Sequence, residues 1–203
     1  MSDNGCGCAI ETKDRKQQKV LYILLAINGV MFVVELVAGI IGNSAGLIAD
    51  SLDMLADAIV YLISIYAIGK AYSRKESAAR ISGYFQIGLG VLLLAEITRR
   101  FFVGHEPQST LMITISIIAL VANIICLLLI NKHKKGEIHM RASWIFSRND
   151  VIANSGVIVA GVLVYWLQTP WPDLLIGVFI TSIIIRGGMR IICEANESSA
   201  CSG

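Results

Sequence analysis

Leu47–Tyr66, LIADSLDMLADAIVYLISIY, is a mostly apolar run long enough to cross a bilayer, yet it carries three aspartates, Asp50, Asp53 and Asp57. A carboxylate near the bilayer centre costs roughly 2.5–3.5 kcal/mol on insertion scales, so it is rare there unless it pairs or lines a watery path. Asp53 and Asp57 are four residues apart, which stacks them on one helix face about 6 Å apart. Two acceptor-only groups aimed at one point inside a membrane call for a cation.

The rest of the chain has the composition of a membrane protein. Of its 203 residues 55% are hydrophobic and only 16% are charged, with a mean hydropathy of +0.68. A soluble domain is nearer a quarter charged. The apolar residues fall in blocks of about 20, the length of a spanning helix. The net charge of +2 gives no reason to expect nucleic acid. The first 19 residues are polar and the first apolar block is too long for a signal-peptide core, so no cleaved leader is expected. Cys126 lies inside an apolar block and Cys6, Cys8, Cys193 and Cys201 lie near the ends, a scatter that fits reduced cytoplasmic tails better than a disulfide framework.

Six spans are expected, over about 20–41, 46–68, 79–97, 111–130, 141–167 and 171–192. They lie between a patternless N-terminal tail (1–19) and a short polar C-terminal tail (193–203). Gly42-Asn43-Ser44 and Thr169-Pro170-Trp171-Pro172 mark tight turns. With both termini in the cytoplasm, the inner segments hold 14 of the 17 Lys and Arg residues: Lys13, Arg15, Lys16 and Lys19; Lys70, Arg74, Lys75 and Arg80; Lys132, Lys134, Lys135 and Arg141; Arg186 and Arg190. Outside are Arg99 and Arg100, and Arg148 lies within the fifth span. The positive-inside rule therefore predicts an all-α, multi-pass protein of the cell membrane with six crossings and cytoplasmic termini.

In this topology Asp57 lies about 11 residues below the outer end of the second helix and Asp150 about nine above the inner end of the fifth. Both reach the middle of a ~30 Å core. Asn154, one turn beyond Asp150, is then level with Asp53. Ser147, Asp150 and Asn154 face the aspartate pair, and three carboxylates and an amide at one depth make an oxygen-rich divalent site. The competing reading makes the aspartates structural, paired with Arg148 and the hydroxyls of Ser51 or Ser147. A single arginine cannot neutralise four of them. Asp50 lies on another face, either compensating Arg148 or serving ion access. Glu35, mid-span in the first helix, either assists ion or proton passage or bonds to Asn28 or Ser44, the structural option being slightly preferred. Glu96 is expected at the interface, and Trp144, Trp166 and Trp171 in the aromatic belts. Gly83, Gly88, Gly90, Gly156 and Gly161 read as places where helices approach closely. Cys6 and Cys8 form a CxC pair that either holds a soft cytosolic ion or stays idle.

NxxMFxxELxxG in the first span (Asn28, Met31, Phe32, Glu35, Leu36, Gly39), GNSAGLIADSLDMLADA in the second and SRNDVIAN in the fifth resemble the cation diffusion facilitators. These are six-helix divalent-metal/proton antiporters. The resemblance implies that Asp53 and Asp57 form one ligand pair and that Asp150 fills one place of a second pair on the fifth helix; the fourth place is open to Asn154, Ser147 or water, with Asn154 the one expected from its depth. It also implies a homodimer, with the third helix as its surface. The sequence departs from the family pattern in three ways. Asp53 stands where zinc-selective members often have His. Phe146, which cannot ligate, stands where the fifth-helix partner is usual. Neither the family's cytoplasmic metal-sensing domain nor a His-rich loop has a counterpart, since His133 and His139 alone stand between the fourth and fifth spans. An all-oxygen set suits Mn²⁺ or Fe²⁺, whereas intrinsic affinity ranks Zn²⁺ and Co²⁺ above Mn²⁺ at almost any site. Short members of the family look like cobalt, zinc and cadmium exporters, so Zn²⁺ is expected as cargo, with Co²⁺ or Cd²⁺. Clustered carboxylates hold protons when no cation is bound, which would couple the export to proton uptake. The rival expectations are a non-transporting membrane regulator or metal sensor, and a passive metal pathway. No phosphate-binding loop and no base-activated nucleophile suggests an enzyme.

Overall fold

The computed structural model describes residues 5–67, 72–131 and 138–200, with side chains chiefly over 18–66, 80–131 and 147–193. The side chains of Cys6, Cys8, Cys201, His133, His139, Trp144 and Phe146 and the inner-loop cations from Lys70 to Lys75 and Lys132 to Arg141 lie outside the described residues. Six helices follow one another: α1 Gly5–Ile41, α2 Ala45–Ala67, α3 Tyr72–Val103, α4 Ser109–Asn131, α5 Ile138–Leu167 and α6 Trp171–Ala200. No strand occurs among the described residues.

The helices outrun the expected spans. α1 begins fifteen residues before Val20, because ETKDRKQQK consists largely of good helix formers and contains no Gly or Pro to stop the helix of the following span. The patternless N-terminal tail is thus largely helix, and α6 likewise continues through most of the expected C-terminal tail.

Local chemistry ends α1, α3 and α5. Asn43 takes a left-handed backbone (φ 49°), and the amide of Ser44 donates to the Gly39 carbonyl at 2.9 Å, closing α1. The Ser44 hydroxyl then accepts from the Leu47 amide at 3.1 Å and caps α2. Gly104 (φ 79°) closes α3 through its amide on the Arg100 carbonyl, and Gln168 (φ 51°) closes α5 on Val164.

Those three turns meet at one end of the bundle. The Gln108 amide, ahead of α4, donates to the Gly42 carbonyl at 2.8 Å. Arg100 on α3 donates to both the backbone and side-chain oxygens of Asn43. Asp173 on α6 is buried and accepts from the Ser44 hydroxyl (2.6 Å), the Ala45 and Gly46 amides (2.6 and 2.9 Å) and His105 Nε2 (3.1 Å). Odd-numbered helices therefore run towards this turn-bearing end and even-numbered ones away from it. Glu96, expected at an interface, pairs there with Arg99 and Arg100.

α2 touches all five other helices and is the axis of the bundle, while α3 and α6 form a tightly packed pair. The surface is more apolar than the interior. On α4, Ile117, Ile118, Val121, Ile124, Ile125 and Leu128 are exposed while Ser116 and Asn123 are buried. Such an apolar exterior has its partner in lipid, not water. By length and composition alone, four stretches qualify as spans: Gln18–Ile41, Ser109–Asn131, Ser147–Leu167 and Trp171–Cys193. α2 and α3 are not among them; α2 is apolar but carries the three aspartates Asp50, Asp53 and Asp57. Trp166 and Trp171 are exposed beside the α5–α6 turn, where an aromatic belt would place them.

Four of the five glycines expected at close approaches lie at them. A Cβ on Gly83 would sit 2.6 Å from Ile192 and 2.9 Å from the Gly188 carbonyl. One on Gly156 would meet Ile176, one on Gly161 Ile113, and one on Gly90 Ile185. Gly88 is the exception: it is exposed with nothing within 4 Å, because it points away from α6. Alanine at these two α3 sites is expected to act with opposite signs. Gly83→Ala forces α3 and α6 apart at about 1–3 kcal/mol, whereas Gly88→Ala gains up to about 1 kcal/mol of helix propensity. Thermal unfolding in detergent reads both.

Candidate metal site

α2 brings Asp53 and Asp57 to the interior on successive turns, and α5 brings Asp150 to the same place from the antiparallel direction. All three are at most 4% exposed. They line one cavity together with Asn149, Gln86 of α3, and Ile183 and Gly187 of α6. Its free volume of about 20 Å³ admits roughly one water-sized occupant, which also means one dehydrated divalent ion. The Tyr61 hydroxyl, one turn below Asp57, donates to its Oδ2 at 3.3 Å and stands 3.4 Å from Ser147 Oγ, tying α2 to α5 beneath the cavity. Asp150 Oδ2 has no hydrogen-bond partner.

The carboxylates share the cavity without closing on a point. Among the described residues no three His, Cys, Asp or Glu side chains are arranged to hold an ion between them. An ion here would complete its shell with the carboxamide oxygens of Gln86 or Asn149, or with water.

Asn154 is buried one turn away from this lining. Its Nδ2 donates to the Asp150 carbonyl on its own helix at 3.0 Å and lies 3.5 Å from Asp50 Oδ1. Asp50 thus faces Asn154; it is buried, while Arg148 is exposed. Ser51 does not serve the aspartates, since its hydroxyl donates to the Ile48 carbonyl.

The expected bonds from Glu35 to Asn28 or Ser44 are absent. Ser44 is engaged by Asp173 and Leu47, and Asn28 Nδ2 donates to the Leu24 carbonyl. Both Glu35 oxygens are buried without a partner. Sequence reading also passed over Gln86, Asn149 and Tyr61. Tyr61 had a signal, a hydroxyl four residues after Asp57 on the same face. Gln86 had only its polarity in an otherwise weak span.

The model of the cation efflux transmembrane domain matches residues 21–198. The chain belongs to the cation efflux family. It is similar to the zinc transporter ZitB of Yersinia pseudotuberculosis, at 27% identity over 92% of this chain and 64% of that protein. It is similar also to the cadmium, cobalt and zinc/H⁺-K⁺ antiporter of Bacillus velezensis, at 29% identity over 86% of this chain and 60% of that protein. The metal cation efflux system protein CzcD of Cupriavidus metallidurans is 23% identical over 87% of this chain and 62% of its own length. The chain thus spans less than two thirds of the length of these relatives. Membership of the cation efflux family makes it a multi-pass membrane protein built on the cation efflux transmembrane domain. The cavity carboxylates Asp53, Asp57 and Asp150 lie within the matched segment.

Proposed function

We propose that this cation efflux protein exports divalent transition-metal ions from the cytoplasm in exchange for protons, with Zn²⁺ as principal cargo and Co²⁺ or Cd²⁺ as alternatives. All six helices cross the membrane, the turn-bearing end faces outward and both termini face the cytoplasm. The charge distribution supports this orientation: the outward end carries Arg99 and Arg100, both paired with Glu96, while most of the remaining Lys and Arg fall in segments assigned inward. Asp53, Asp57 and Asp150 ligate the ion. A homodimer is the expected assembly.

The single observation behind the reading is the cavity with room for one small occupant, lined by three carboxylates from two antiparallel helices. Three acidic groups in a poorly hydrated place need a dication or protons to offset their charge. Alternating between the two is an exchange of metal for protons. The names of the relatives, which mention zinc, cadmium and cobalt, support the choice of cargo.

Inside-out vesicles with an acidic lumen test the proposal. Zn²⁺ is expected to accumulate in the lumen above its external concentration, and a protonophore is expected to abolish the accumulation. Uptake indifferent to the collapsed gradient would remove the proton coupling. Simple equilibration would leave a passive pathway, and no movement of zinc, cobalt, cadmium or manganese would overturn transport altogether.

A further inference from the structure

One turn nearer the turn-bearing end than the cavity, three buried side chains from three helices lie at one level with four of their oxygens unpartnered. The α1–α2 register is set by two contacts. Gly39 meets Leu47 and Ile48, and Met31 packs with Met54 in one cluster further down. Glu35 lies midway between Gly39 and Met31 and is therefore level with Asp50. From α5, Asn154 completes the group by its approach to Asp50. All three side chains are at most 1% exposed.

Their unpartnered atoms are all acceptors: Glu35 Oε1 and Oε2, Asp50 Oδ2 and Asn154 Oδ1. The Asn154 orientation is dictated by the bond from its Nδ2 to the Asp150 carbonyl, which can only accept, so the amide oxygen is the end left over. Among the described residues no ion pair reaches Glu35 or Asp50. Buried polar atoms are paired in native proteins, and four orphaned oxygens around two carboxylates lack a cation, not a donor alone.

We propose that Glu35, Asp50 and Asn154 form a second cation-binding ledge, which holds a divalent metal ion between the Asp53–Asp57–Asp150 cavity and the turn-bearing end. The inference rests on the transport reading, as a second station on the same path. Two carboxylates match the charge of one dication, and four oxygens supply the hard donors such an ion accepts. Two stations one turn apart let a following ion in the cavity repel its predecessor outward, so that neither site needs to be weak for release to occur.

Mn²⁺ binding to the purified full chain in detergent, followed by the loss of the free-ion electron paramagnetic resonance signal, tests the ledge. Thiolates compete poorly for this ion. Wild type is expected to bind two ions per chain, Glu35→Gln one, Asp57→Asn one and the double variant none. If Glu35→Gln does not fold, Asn154→Ala carries the same comparison. Wild-type stoichiometry and affinity in both ledge variants, with an ion lost only in Asp57→Asn, overturn the ledge and leave the cavity standing. An ion lost only in the ledge variants supports the ledge and overturns the cavity as an ion site. No Mn²⁺ bound by wild type overturns both.

Discussion

Zinc accumulation in inside-out vesicles is expected to fall by about 100-fold or more when Asp57 is replaced by alanine. Loss of a partner that merely orients a ligand already costs about 10–100-fold in affinity, and Asp57 is proposed as a ligand itself. Asp57→Asn separates charge from shape, because it keeps the volume and an acceptor for Tyr61 but removes the anion, and it is expected to fail nearly as badly. The fold should tolerate both changes. Tyr61 keeps Ser147 within reach, and removing a buried carboxylate relieves its desolvation cost. Circular dichroism and gel filtration of each variant confirm that the loss is one of transport. Uptake within twofold of wild type in a folded Asp57→Ala protein would show that the carboxylate holds no ion.

The largest effect on stability is expected at Asp173, far from the cavity. Its carboxylate, fully buried, takes four hydrogen bonds, three from the start of α2 and one from His105. It therefore acts as an N-terminal cap supplied by another helix, placed where the dipole of α2 favours a negative charge. Asp173→Ala strands those donors at about 3–5 kcal/mol and is expected to lower the unfolding midpoint in detergent by roughly 10 °C or more. Asp173→Asn turns an NH₂ towards donors and is expected to recover only part of the loss. A midpoint within a degree or two of wild type would show that Ser44 caps α2 unaided. Because Asp53 and Asp57 ride on α2, a shift of its first turns also moves the candidate ligands, so Asp173→Ala is expected to reduce transport along with stability.

The features that were legible in the sequence are those with a short reach along the chain. Apolar block length identified the helices, and Gly42-Asn43-Ser44 and Thr169-Pro170 marked their ends, because turn chemistry is local. The i, i+4 spacing of Asp53 and Asp57 placed both on one face before any neighbour was known. Matching depths on antiparallel helices then brought Asp150 to the same level, and all three line one cavity.

Depth along a helix follows from counting residues, but rotation about its axis follows from packing against neighbours, and that decided the rest. Asn154 is at a depth close to the expected one yet turns towards Asp50, because its own NH₂ is held by the Asp150 carbonyl. Gln86 and Asn149 border the cavity through the way α3 and α5 are rotated. Gly83 and Gly88, on one helix and five residues apart, differ in role for the same reason. Asp173 and His105 meet α2 from helix ends 129 and 61 residues distant from Ser44, a convergence no periodicity encodes. The sequence by itself determined a helical membrane protein with carboxylates at mid-depth. Only the tertiary structure decided which oxygens face one another, because the partners of a buried side chain belong to other helices.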